Sequence, residues 1–172
     1  MTRREEFMSK PEMGEGVVIG KHVQFGKGVV IWNYVVICDN TKIGDETRIG
    51  SFCDIGKDVI IGMNCNIQTH VTISNGCKIG NSVFIAPNST LLNDKFPQSE
   101  CLTPPILKDN AIVGGCCVIL PNVTINENAV IAAGSVVTKD VARGQVVQGV
   151  PAEAIMTRDQ YETKKKAFIQ KH

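Results

Sequence analysis

The side chains in this sequence best able to move a proton or hold a ligand are few and widely spaced. There are three histidines, His22, His70 and the terminal His172. Imidazole is the side chain that ordinarily changes charge near neutral pH, which suits it to take a proton from an ammonium or an attacking amine. A metal site needs such ligands clustered. His22 and His70 are 48 residues apart, so no shared metal is expected. Seven cysteines (Cys38, Cys53, Cys65, Cys77, Cys101, Cys116, Cys117) show no CxxC spacing, and free thiols are expected rather than disulfides or zinc. The last candidate is a segment, TLLNDKFPQSECLTPPILKD, from Thr90 to Asp109. Its prolines Pro97, Pro104 and Pro105 cannot donate ladder hydrogen bonds and hold the chain out as a braced excursion. Polar loops of this kind on a rigid scaffold commonly carry function.

What positions these residues is a repeat. Isoleucine recurs at 19, 31, 37, 43, 49, 55, 61, 67, 73, 79 and 85, and Phe25 and Leu91 complete thirteen hexads in one frame. Two residues before each is a small or β-branched residue, such as Val35, Thr47, Cys53, Val59, Cys65 or Cys77. These two positions share one face of a strand, and the residue between them points out. Glycine directly follows the large apolar residue in seven of the thirteen hexads, and its tolerance of φ > 0 suggests a corner there. A 3.6-residue period does not fit this spacing, and an antiparallel meander would not turn every six residues for so long. The remaining geometry is a parallel β-solenoid, in which each coil buries a face it could not bury alone. After Leu91 the next in-frame apolar residue is read as Val113, a gap of 22, and the rhythm resumes with Ile119, Ile125, Ile131 and Val137.

The hexads from Val17 to Val141 resemble those of the hexapeptide-repeat acyltransferases. That resemblance implies a left-handed parallel β-helix with three-sided coils of eighteen residues, assembled as homotrimers with active sites in clefts between prisms. Stacking residues eighteen apart puts Trp32, Gly50, Gln68 and Ala86 in one corner column with Tyr34, Phe52, His70 and Asn88 beside them, while Gly26, Gly44, Gly62 and Gly80 share another. The aromatic column is assigned to the cleft, with Tyr34, Phe52 and Gln68 as substrate contacts and His70 as general base or substrate contact. Gly114 stacks on Ala132, Gly115 on Ala133 and Cys116 on Gly134, which pares an edge down to exposed backbone. Such a groove suits pantetheine, whose amides need peptide partners.

The run IQTHVTISNGCKIGNSVFIAPNSTLLNDKFP is similar to the 3-N-acetyltransferases that act on nucleotide-linked aminosugars, through Asn93, Asp94, Phe96 and Pro97 of the loop motif and His70 on the preceding coil. The resemblance implies that Asn93 and Asp94 orient the acceptor amine or a sugar hydroxyl, and that Phe96 lines the sugar pocket. In the segment Ala132 to Ala152 it implies acetyl-CoA contacts at Ala133 and Lys139, and Gly115 of the small-residue edge is the third expected acetyl-CoA contact. Some members are thought to work without an obligatory protein base, so the thiolate is an alternative proton acceptor.

Taken together, the sequence predicts an all-β fold: an N-terminal cap over 1–16, a left-handed β-helix over 17–156 with an extended loop at about 93–108, and a C-terminal helix over 157–172. A capping box of Thr157 and Gln160 opens that helix. The expected activity is transfer of acetyl from acetyl-CoA to an amine, probed first as a 3-amino group, on a UDP- or dTDP-linked aminosugar, as in glycan or lipopolysaccharide biosynthesis. The expected protein is a homotrimer that needs no metal. An O-acetyltransferase of the same fold and a non-enzymatic solenoid are the alternatives. Lysine plus arginine (18) balances aspartate plus glutamate (17), so no nucleic-acid or membrane partner is expected. The opening MTRREEFMSKPEMGEG has no apolar run, and a cytoplasmic location is expected.

Overall fold

The structure, a computed structural model, describes residues 10–171. Part of the expected N-terminal cap, residues 1–9, and His172 lie outside the described residues. The hexads form two-residue strands on three faces of a prism. The first face is a nine-stranded sheet, the second has seven strands and the third six. Stacking strands are parallel and eighteen residues apart, as with Ile31, Ile49 and Ile67 on the first face. The ladder uses the same donors in each coil: Asn66 N–H donates to Val83 O at 2.9 Å, and Gln68 N–H to Ile85 O at 2.8 Å.

The large apolar residue of each hexad points into the prism, and Ile37, Ile49, Ile55 and Ile85 are fully buried. Burying one such side chain contributes about 1.5–3 kcal/mol. The small position two residues earlier has a second duty. Thr41 and Thr47 donate their hydroxyls to Gly56 O and Gly62 O, both at 2.8 Å, and Ser89 donates to Gly114 O at 2.8 Å. The thiols of Cys53 and Cys65 make the equivalent contacts to Gln68 O and Gly80 O. All seven cysteines are free, and burial pushes the Cys53 thiol up to about 11 and that of Cys77 to about 12. Cys53 and Cys77 are therefore structural residues with little thiolate character.

The glycines after the large residue have a different cause from the one expected. None of Gly20, Gly26, Gly44, Gly50, Gly56, Gly62 or Gly80 has a left-handed φ. A Cβ on Gly50 would lie 2.6 Å from Thr69 N, and one on Gly44 would lie 2.7 Å from Gly62 C, so close coil-to-coil approach demands them. Positive φ falls two residues later, where Asn40, Asn64, Asn88, Asn110, Asn122 and Asn128 share the position with Gly16, Gly28, Gly76 and Gly134. Asparagine and glycine are the residues that visit this region most readily.

The excursion ends earlier than the sequence indicated. Ile106–Leu107 is a strand of the third face, paired with Lys78–Ile79, and Leu107 is buried. The register between coils lengthens from 18 residues, as in Ile67 opposite Ile85, to 28, as in Ile85 opposite Val113. Pro105 hides the phase because it fills the small position. It fits there, buried, because the ladder uses the carbonyl of that position and not its N–H: Pro105 O accepts from Lys78 N.

At the N-terminal end the ladder starts at Glu12–Met13, which pairs with Val30–Ile31. At the other end Gln145–Gly149 joins the first face parallel to Val130–Ile131, then turns back antiparallel onto Ala152–Thr157. Helix α1 follows at Arg158–Ile169, with the Thr157–Gln160 capping box formed. Among the described residues no helix is long and apolar enough to cross a membrane.

Candidate functional site

His70 occupies the corner between the first face (Asn66–Ile67) and the second (Thr72–Ile73). The third residue of each such corner has φ near +60°, and on this edge the series reads Gly16, Tyr34, Phe52, His70, Asn88, Cys116, Gly134. Bulky residues at such an angle cost about 1–3 kcal/mol each. The other corners use mostly asparagine or glycine at this position, with His22, Glu46, Asp58 and Ser82 as the rest and no phenyl or phenol ring among them, so backbone preference does not account for Tyr34 and Phe52. They stack: the Tyr34 and Phe52 centroids are 5.3 Å apart at 18°, and those of Phe52 and His70 are 4.9 Å apart at 21°. Trp32 begins the neighbouring column, 58% exposed. Trp32, Arg48, Ser51, Asn66, Gln68 and Thr69 border a hollow of about 370 Å³ on the first-face side of the edge. Gln68 donates to Asn66 Oδ1 at 2.6 Å.

The imidazole is held from below. Thr69 Oγ1 lies 2.8 Å from His70 Nδ1 and 2.7 Å from Ser51 O, and His70 N–H also donates to Ser51 O at 3.0 Å. Sequence reasoning missed Thr69 and Ser51. The signal available was the corner column itself, in which Ser51 and Thr69 are eighteen residues apart.

The small-residue groove proves to be the same edge as the aromatic column, extended across the excursion. Asn88 N donates to Thr69 O, Cys116 N to Pro87 O, and Gly134 N to Gly115 O. His70, Asn88, Cys116 and Gly134 therefore sit on successive coils, and three steps of about 4.8 Å put Gly134 roughly 14 Å from the imidazole. At several other corners the second residue has its N–H capped by an Asn or Asp of the next coil, as when Lys21 N donates to Asp39 Oδ1 at 2.7 Å, Lys27 N to Asp45 Oδ1 at 2.8 Å, and Asn81 N to Asp109 Oδ1 at 2.7 Å. Beyond Asn33, this edge carries Ser51, Thr69, Pro87, Gly115 and Ala133 at that position. The N–H groups of Gly115 and Ala133 meet no acceptor among the described residues. Gly134 has open space where a side chain would be.

The loop lies on a different edge. It leaves the second face at Thr90–Leu91 and re-enters the third at Ile106–Leu107, the corner type that also holds His22. Asn93 is tied there, its Nδ2 donating to Asn75 O at 3.1 Å. Asp94 shapes the loop: Oδ1 accepts from Phe96 N at 3.0 Å and Ser99 Oγ at 2.7 Å, and Oδ2 from Ser99 N at 2.8 Å. These bonds, the Ser99 hydroxyl first, hold the exposed carboxyl below the usual carboxylate range. Phe96 is 74% exposed. Within one protomer, then, Asn93, Asp94 and Phe96 are not brought to His70. Lys139 is exposed one strand further round than Ala133, after Val136–Val137 of the second face.

Among solved structures, the chain resembles a mutant of AntD, an N-acyltransferase from Bacillus cereus in complex with dTDP and coenzyme A, at 22% identity and a TM-score of 0.56, covering 92% of this chain and 94% of that one. It also resembles UDP-N-acetylglucosamine acyltransferase from Campylobacter jejuni, at 22% identity and a TM-score of 0.60, covering 92% and 79%. Among curated proteins, 2,3,4,5-tetrahydropyridine-2,6-dicarboxylate N-acetyltransferase of Staphylococcus aureus is 37% identical over 67 residues, 39% of this chain and 28% of that protein's length. The repeat described as bacterial transferase hexapeptide (six repeats) matches residues 22–53, 40–75, 58–93 and 104–139, more than half of the chain. With the stacked coils already in view, that coverage settles the family: this chain belongs to the bacterial hexapeptide-repeat transferases.

Proposed function

We propose that the protein is an acetyl-CoA-dependent N-acetyltransferase whose acceptor is the amine of a UDP- or dTDP-linked aminosugar, with a 3-amino group as the first candidate. The observation that carries this reading is the single edge on which the His70 imidazole and the small-residue groove succeed one another. Pantetheine lies along Gly115, Cys116 and Ala133, and the phosphates of the coenzyme extend toward Lys139. The acceptor amine attacks the thioester carbonyl. A C–N bond forms and the C–S bond breaks, the amine proton passes to His70, and the departing thiolate takes a proton in turn. The open N–H of Gly115 is a donor for the oxyanion that develops on the way. The AntD and S. aureus relatives, both N-acyl transferases by name, support an amine acceptor.

The protein acts as a homotrimer in the cytosol in this reading. His70 and the loop occupy different edges of one prism, so only a neighbouring protomer can bring Asn93, Asp94 and Phe96 to the imidazole. Tyr34 and Phe52, 46% and 52% exposed beside it, supply apolar surface for that contact or for the sugar nucleotide. Asp94 Oδ2 accepts one loop bond and retains a lone pair for an amine.

The test pairs nucleotide sugars that differ only in bearing an amino or a hydroxyl group, each supplied with acetyl-CoA while free thiol release is followed. Turnover with the amino sugar alone is the expected result. Turnover with the hydroxyl sugar would make the enzyme an O-acetyltransferase, and turnover with neither, alongside transfer to a small amino dicarboxylate, would move the acceptor to the chemistry of the S. aureus relative.

A further inference from the structure

Thr69 is adjacent to His70 in sequence and half-buried beneath it. The Ser51 carbonyl oxygen carries no hydrogen, so its 2.7 Å contact with Thr69 Oγ1 requires the hydroxyl proton to lie between the two oxygens. A threonine hydroxyl has one proton. With that proton committed to Ser51, the oxygen facing His70 Nδ1 at 2.8 Å offers only lone pairs, and the hydrogen of that second contact must belong to the imidazole.

We infer that Thr69 is a positioning residue that holds His70 as the Nδ1–H tautomer and leaves the Nε2 lone pair as the free base. This inference rests on the reading of His70 as the proton acceptor. The chain of bonds runs from imidazole to hydroxyl to carbonyl, and it ends on a backbone atom fixed by the coil below, because Ser51 O also accepts His70 N–H. The stack on Phe52 fixes the plane of the ring, and the hydroxyl fixes which of its two edges faces inward. A ring turned over would set a C–H against the Thr69 oxygen and lose the bond. Branching at Cβ narrows the choice of χ1, which makes threonine a firmer support than serine. The tautomer decides the chemistry, because the nitrogen that keeps its proton cannot accept another. Without the hydroxyl, the proton is free to settle on Nε2, and the basic nitrogen is then Nδ1, on the ring edge turned toward Thr69 and away from the acceptor.

The experiment is ¹⁵N NMR of the histidine side chains in the full-length protein above the imidazole titration, with the His70 signals assigned by their loss in His70→Asn. The wild type is expected to show protonated Nδ1 and unprotonated Nε2. Thr69→Val is expected to move the proton to Nε2 and to lower kcat at least about tenfold while both KM values stay within about threefold. Thr69→Ser is expected to restore both the tautomer and most of kcat. A proton on Nε2 in the wild type overturns the inference, and that measurement needs no variant to fold. An unchanged tautomer in Thr69→Val overturns it as well. A tautomer that switches while kcat holds upholds the positioning by Thr69 and overturns the reading of His70 as base.

Discussion

Replacing His70 with asparagine is expected to lower kcat/KM for acetyl transfer by about 10²–10⁴-fold, with little change in the affinity for acetyl-CoA. Asparagine is the right replacement because His70 has φ +58°, and the next residue of the column, Asn88, has φ +59°. Alanine at such an angle adds backbone strain, whereas asparagine adopts it readily and keeps the N–H that donates to Ser51 O. The loss therefore reports the imidazole and not a broken corner. A protein base that must be unprotonated imposes an acid limb on the pH profile of kcat/KM, and the asparagine variant is expected to lack it. Steady-state rates across pH at saturating acetyl-CoA make the comparison. Wild-type values in the variant would mean that the amine attacks unaided and the thiolate takes its proton.

The second large effect is expected at Gly115. Leucine there is expected to weaken coenzyme A binding about tenfold or more, near 1.4 kcal/mol, measured by calorimetry, with the thermal midpoint nearly unchanged. The local geometry separates binding from folding. Gly115 has no left-handed φ, and a Cβ on it would lie 3.4 Å from Pro87 O and 4.0 Å from Ala86 Cβ, which is ordinary contact. The longer side chain must then lie in the groove. Gly134 is a poorer site for the test despite its open surroundings, because its φ of +71° strains any side chain. Full coenzyme affinity in Gly115→Leu would put the pantetheine elsewhere.

The architecture was readable because each hexad repeats one physical requirement. Ile49, Ile67 and Ile85 must face inward, and Val59, Cys65 or Thr47 must fit beneath the next corner, so the inward pattern survives in the bare sequence. Helix α1 was readable from Thr157 and Gln160 for a similar reason, since a capping box is local. The end of the excursion was not readable, because Pro105 looks like a loop residue and its fitness for the small position depends on which backbone groups the ladder uses. The corner glycines were assigned to the wrong cause for want of the neighbouring coil, which sets the limit on Gly44 and Gly50.

The candidate site divides the same way. His70 and its aromatic neighbours follow from an eighteen-residue count, and so do Gly115 and Ala133 taken alone. Their union on one edge depends on the 28-residue register across the loop, which only the strand at Ile106–Leu107 reveals. The support from Thr69 and the uncapped amide of Gly115 are matters of hydrogen-bond direction, and no spacing encodes them. Asn93 and Asp94 match a motif but sit on another edge of the prism, because sequence proximity to His70 is no guide to which corner a residue occupies.

Cys116 offers the most direct test of a shared edge for base and coenzyme. Its thiol is exposed, two coils beyond His70 and one before Gly134, beside the amide assigned to the thioester. Iodoacetamide labelling, followed by mass spectrometry with and without coenzyme A at a concentration shown by calorimetry to saturate, reads its accessibility. The account requires bound coenzyme A to slow labelling of Cys116 strongly in the wild type and to slow it less in Gly115→Leu at the same concentration. Equal labelling rates for Cys116 in the free and fully bound wild-type protein would contradict it, because the coenzyme would then lie away from the edge that holds His70.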